Sequence, residues 1–312
     1  MNELQTILDS IKLDKDTNLK PENLKKGITC LGITGTLSGG GNPFPKTTNL
    51  TLDEIKTTTT SYNETVPYEF GIDPTITSLD SAFESNSSIV TIPKLDTRNI
   101  QTMQYTFSSC SNLKEIPMLN TSNVTKMGRM FFRCRSLKNV PMLDTSKVTS
   151  FYMMFYECSQ LTTVPNFDMR EATHLNEMFS GCYNLKEIPN INTPKVINIY
   201  EMFKNCWELT SIPLFDTSNV VYMNSTFDTC RNLIDIPVFD TSKVEFLVKT
   251  FNYCNSLSDE SLNNILQMCI NAKAYTRPKT LREIGLSQEQ ATRCQSLSNW
   301  SAFTSAGWTS GY

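Results

Sequence analysis

The sequence predicts a repeat solenoid of leucine-rich-repeat type, built mainly from short parallel β-strands with 3₁₀ or helical returns. Three observations carry this expectation. Cysteine recurs every 24 residues at Cys110, Cys134, Cys158, Cys182, Cys206, Cys230 and Cys254. Phenylalanine keeps the same period at Phe83, Phe107, Phe131, Phe155, Phe179, Phe203, Phe227 and Phe251, and so does proline from Pro93 to Pro237. No insertion breaks the register from Phe83 to Leu257. A period of 24 is too short for paired-helix repeats and falls within the leucine-rich range of ~20–29 residues.

The repeat reads C-x-x-L-x-x-[IV]-P-x-[LFI]-[DN]-T-S-x-V-x-x-[MLIF]-x-x-[MT]-F-x-x. Its fixed positions are apolar or turn-forming and its free positions are mainly polar. One coil cannot bury such an apolar side alone, but a stack of coils can. Within a coil, "LKEIPML" from Leu113 reads as a first strand. "NTS" at Asn120 to Ser122 reads as a turn, in which Asn or Asp bonds its own backbone. "NVTKM" from Asn123 is a second extended piece. "GRMFFRC" reads as a tight helical return that turns Met130, Phe131 and Cys134 inward. With strands ~4.8 Å apart, roughly seven coils make a rod about 35 Å long.

The ends differ from the rod. Residues 1–40 read as a small α+β module: Leu4, Ile7, Leu8 and Ile11 have helical spacing, Pro21 and Gly27 bracket a second helix, and "ITCLGITGTL" alternates like a hairpin. Residues 41–82 read as a linker and N-terminal cap, with "SGGGNPFP" passing from flexible to stiff chain. Residues 258–312 read as a helical C-terminal cap. Ser258 is a candidate N-cap, and Ser287 with Gln290 has capping-box spacing. An open solenoid end exposes core and strand edges, so caps are expected.

Composition narrows the function classes. The formal net charge is −3 and 19% of residues are charged, so no basic field exists to attract nucleic acid or an anionic membrane. "MNELQTILDS" has no charged-then-apolar leader pattern, and no apolar run is long enough to cross a bilayer; the chain is read as soluble. His174 is the single histidine, which argues against a histidine metal centre or a catalytic triad. The cysteine column reads as a ladder of buried thiols, since stacked residues point the same way and disulfides need facing Cβ atoms. Asp96, Asn120, Asp144, Asp168, Asn192, Asp216 and Asp240 form a turn column, because Asn replaces Asp without other change. No catalytic motif is present, so no enzyme, cofactor or metal is expected.

Variable positions carry what specificity there is. Two columns, expected to be exposed, form the candidate binding face: Tyr152, Asn176, Tyr200 and Asn224 in one, His174, Asn198, Tyr222 and Phe246 in the other. Tyrosine and asparagine on a regular platform suit contact with a protein or a glycan.

"FDTSNVVYMNSTFDTCRNL" and its siblings resemble the BspA-type leucine-rich repeat family, in its "DTSNVxxMxxMFxxCxxL" branch. That resemblance implies a solenoid used for adhesion or protein contact. "DKDTNLKPENLKKGITCLGITGTL" is similar to a short module of virion proteins of phages of Gram-positive bacteria, and "SAFTSAGWTSGY" resembles endings of phage-encoded repeat proteins. Together these imply a virion structural protein: a fibre, adhesin or decoration protein. Residues 1–40 would anchor it to other virion proteins, and the rod would meet a host surface protein or glycan, with self-association into a homo-oligomer. The alternative is a bacterial cell-surface adhesin. A glycan-active enzyme is the third class, without a site to support it.

Overall fold

The computed structural model describes residues 29–30, 33–34, 49–52, 69–272 and 282–311. The helices expected from Leu4 to Gly27 and the linker at Ser38 to Pro45 lie outside these residues. The alternating "ITCLGITGTL" holds two short antiparallel strands, β1 (Thr29–Cys30) and β2 (Ile33–Thr34), paired Cys30 to Ile33.

The rod is a stack of parallel coils. Its first rungs are β3 (Asn49–Leu50), β4 (Glu69–Ile72) and β5 (Lys94–Leu95), all parallel. Ser78 then bridges Thr102, so stacking begins before the sequence repeat does at Phe83. The expected boundary at residue 82 marks where the repeat becomes readable, not where the stack starts.

One column of bridges runs through the second extended piece, in two runs: Thr102 to Lys126, and Ser150, His174, Asn198, Tyr222 and Phe246 in succession. The first stretch, expected as a strand in every coil, has only the bridge Ser211 to Asp235 besides β5. Proline is the physical reason. Most first stretches donate a bond near their start, as Lys138 N–H does to Lys114 O, and then meet a proline that has no N–H to continue the ladder.

The returns also differ from the expectation of a helical or 3₁₀ segment: they are chains of tight turns. Met130, Phe132 and Cys134 donate to carbonyls three residues back, at Met127, Arg129 and Phe131. The residues between them, Arg129, Phe131 and Arg133, donate instead to Tyr152, Met154 and Tyr156 of the next coil, at 2.7–2.9 Å. A helix would turn every N–H along its own axis and leave none for the neighbouring coil. Alternation is achieved by left-handed residues, Arg129 at φ 57° and Arg133 at φ 58°, and the pattern recurs through the stack. Non-glycine residues there cost roughly 1–2 kcal/mol each. The coil-to-coil bonds, at about 1 kcal/mol net apiece, offset that cost.

The core is a set of columns. Successive phenylalanine rings from Phe83 to Phe251 stack face to face, with centroids 5.2–5.7 Å apart and planes within 12°. The cysteine column does more than fill space. Each thiol donates to the phenylalanine carbonyl of the preceding coil, from Cys110 to Phe83 through Cys254 to Phe227, at 2.9–3.2 Å. These seven cysteines, Cys269 and Cys294 are buried free thiols. A third column is buried threonine: Thr121, Thr145 and Thr217 donate to Asp144, Asp168 and Asp240 carbonyls of the next coil. At the turns, Asn120 and Asp144 accept from the N–H and hydroxyl two residues on, at Ser122 and Ser146.

Among the described residues, three helices close the far end: α1 (Asp259–Asn271), α2 (Gln288–Cys294) and α3 (Trp300–Ser305). Ser258 caps α1, and Ser287 with Gln290 forms the capping box of α2. The end substitutes for a missing coil. Thr241 donates to Met268 O of α1, Lys249 and Phe251 donate to Glu283 and Ile284, and the buried Gln290 amide reaches Cys254 O.

Candidate binding surface

The two columns chosen from the sequence lie beside each other at the start of the return. One of them, with His174, Asn198, Tyr222 and Phe246, is the bridged column itself. The expectation that both columns are exposed holds only for Tyr222; Tyr152, His174, Asn176, Asn198, Tyr200, Asn224 and Phe246 are half-buried, because each is stacked between neighbouring coils. Tyr222 and Phe246 stack at 4.9 Å. Asn198 Oδ1 accepts the Tyr200 N–H, and Thr173 Oγ1 lies 2.9 Å from His174 Nδ1. The face is therefore a tied surface rather than a row of loose side chains.

Sequence reasoning missed the neighbouring column. The first of the two left-handed residues in each return keeps some exposed surface: Tyr105, Arg129, Met153, Glu177, Glu201 and Ser225 are half-buried and Lys249 is exposed. Arg129 lies over three rings, Tyr105 at 5.5 Å, Phe132 at 5.2 Å and Tyr152 at 4.9 Å, and donates to the Tyr152 hydroxyl. Its Nε is buried without a hydrogen-bond partner. Glu201 accepts from Tyr200 Oη at 2.6 Å and from Lys204 Nζ at 2.9 Å. Burial, then the nearby Glu201, raises the Glu177 carboxyl, while Arg129 and Lys204 pull it down. Burial, then the bond to Glu201, pushes the Tyr200 phenol up. Tyr105 and Arg129 are one period apart, but the expectation of a helical return gave that position no reason to be grouped with the face.

The thiol column is chemically quiet. Burial pushes Cys110 up to about 12 and Cys134, Cys158, Cys206, Cys230 and Cys254 well above the ordinary value. A protonated, buried thiol is a poor nucleophile and metal ligand. Among the described residues, no group of three or more His, Cys, Asp or Glu is placed to hold a metal ion. No helix among them is long and apolar enough to cross a membrane.

Stacked 24-residue coils with fixed apolar columns define a leucine-rich-repeat-type solenoid. A family model described as "Mycoplasma protein of unknown function, DUF285" matches residues 77–189 and 173–278, about two thirds of the chain, and the chain belongs to that family. A search of curated proteins finds no match. Solved structures with detectable similarity include bacterial leucine-rich repeat proteins. A leucine-rich repeat protein of T. pallidum is 20% identical, over 67% of this chain and 80% of that one, with a TM-score of 0.38. One from Eubacterium ventriosum is 26% identical, over 47% of this chain and 37% of that one, with a TM-score of 0.36. A leucine rich cell surface protein of Faecalibacterium prausnitzii is 17% identical, over 64% and 79%, with a TM-score of 0.28.

Proposed function

We propose that this chain is a contact module, an adhesin of the bacterial cell surface whose rod presents variable side chains to a protein or glycan partner. One observation carries the reading. The recurring residues are spent on stacking, while the left-handed positions change from Tyr105 to Arg129, Glu177 and Lys249 on an unchanged backbone. A scaffold that holds geometry constant while surface chemistry varies suits recognition. The reading assigns no chemistry to the site, and the partner is met through the face around Tyr152, Tyr200 and Tyr222.

A second reading is a virion structural protein anchored by residues 1–40, with the rod projecting outward. It rests on the resemblance of "DKDTNLKPENLKKGITCLGITGTL" to phage modules. Limited proteolysis of intact producing cells separates the two, followed by immunoblotting of the cells and of purified phage particles. The adhesin reading expects the chain to be shaved from cells. Its presence only in purified particles would overturn that reading and support the second.

A further inference from the structure

The corner of the coil beside the cysteine column changes character along the rod. Two columns flank it, one just before each cysteine and one just after. Upstream the gap between them is filled by charge pairs: Glu157 meets Arg133 at 3.3 Å and Arg135 at 2.7 Å. Midway it is covered by the stacked rings of Tyr183 and Trp207, 4.3 Å apart. Downstream it opens into a hollow of about 500 Å³ lined by Asn205, Thr229, Arg231, Tyr253 and Asn255.

The lining groups differ from those upstream in being available. Arg231 is exposed and lies over the Trp207 ring at 4.8 Å, with no carboxylate at ion-pair distance among the described residues. The side-chain amides of Asn205 and Asn255 make no hydrogen bond among those residues. Tyr253 is 63% exposed, an unusual position for so large a ring. Its Cα–Cβ bond leaves a left-handed backbone position that Asn205 and Thr229 share in the two preceding coils, at φ 57°, 61° and 65° respectively. The nearby carboxylate, Asp228, is already engaged by Thr229 Oγ1 and Asn252 Nδ2 at 3.0 Å, with Lys204 at 3.9 Å.

We propose that this hollow is a binding site for an acidic saccharide. A sugar ring lies against Tyr253, the Asn205 and Asn255 amides bond its hydroxyls, and Arg231 receives a carboxylate or sulfate substituent. Aromatic faces take the apolar face of a sugar, amides both donate and accept, and a guanidinium pairs with planar or tetrahedral oxyanions. The upstream corner cannot do this, since Arg133 and Arg135 are committed to Glu157. The site deepens the contact-module reading but occupies a different part of the rod from the tyrosine face, so each can fail alone.

The test is titration calorimetry of the full chain at low salt with oligogalacturonate (carboxylate), a heparin-derived oligosaccharide (sulfate), maltoheptaose (neutral) and a poly-glutamate peptide. Binding of either acidic saccharide is expected, with Arg231→Ala and Tyr253→Ala each weakening it at least tenfold. Arg135→Ala, at the filled corner, should leave it within twofold. The carboxylate and sulfate arms show which substituent Arg231 takes. Equal binding by maltoheptaose or by the peptide, no binding of either acidic saccharide, or equal losses in all three variants would overturn the site. Loss of cell attachment in tyrosine-face variants, with saccharide binding intact, would locate the two functions separately.

Discussion

In the coils, Arg129, Phe131 and Arg133 hand their N–H groups to the next coil; in α1 and α2, N–H groups are satisfied within the helix and at the Ser258 and Ser287 caps. The coil is therefore stable only through its neighbours, whereas the end is built from locally satisfied pieces. A chain of nearest-neighbour contacts must stop somewhere without leaving donors bare, and the end does this through Glu283, Ile284, Met268 and Gln290. The difference teaches that the periodic part supplies length and surface, while the aperiodic part supplies termination.

The largest expected effect is at alkaline pH. Burial raises the column thiols in the folded state above their ordinary value of 9.0, so their stabilising contribution is complete below pH 9. As pH rises above 9, the unfolded chain ionises first and stability falls, until the folded values are passed. Each thiol that ionises only on unfolding contributes about 1.4 kcal/mol of loss per pH unit. Seven in series should lower the urea midpoint steeply between pH 9 and 11. Cys158→Ala should flatten the slope by about one proton. A flat profile would break the ladder account.

Next comes Phe155→Ala in the middle of the ring stack, with an expected loss of ~3–5 kcal/mol measured by urea unfolding. Phe155 packs against Phe131, Phe167 and Phe179, so the cavity opens to both sides. Gln290→Ala removes the capping box and the bond to Cys254 O, and about 2 kcal/mol is expected. Hydrogen exchange should speed up at Phe251 and Cys254 and stay unchanged at Phe107. Equal acceleration along the rod would contradict nearest-neighbour stacking.

The smallest effect is the sharpest discriminator, because one substitution should change sign between the regions. Ser109 has φ 62°, so Ser109→Gly relieves strain and should be neutral or stabilise by up to about 1 kcal/mol. Gln267 sits inside α1, where Gln267→Gly should cost about 1 kcal/mol. Thermal midpoints moving the same way in both would refute the turn-chain description of the return.

The solenoid was legible because its inward columns repeat without a gap, and Ser258 and Ser287 announced their helices by capping chemistry. The returns were not, because residues such as Arg129, Glu157 and Lys249 carry no mark of left-handed backbone; glycine would have signalled it, and among these positions only Gly181 does. Part of the candidate face, Tyr152 and Tyr222, was readable as variable columns. Arg129 and the open corner at Arg231 and Tyr253 were not, since both involve residues on that backbone. The thiol-to-carbonyl bonds were hidden too, as a buried cysteine reads equally well as a small apolar filler.

The most direct measurement of the contact-module account is attachment of beads coated with the full chain to candidate host cells, alongside thermal unfolding. The variant is Tyr152→Ala, Tyr200→Ala and Tyr222→Ala together. Aromatic anchors commonly cost ~2 kcal/mol or more each when truncated from an interface. Attachment is expected to fall at least tenfold, while the thermal midpoint falls by less than for Phe155→Ala, since the lost bonds to Arg129 and Glu201 are only part-buried and the ring stack of the core is untouched. Attachment equal to that of the unaltered chain would contradict the account.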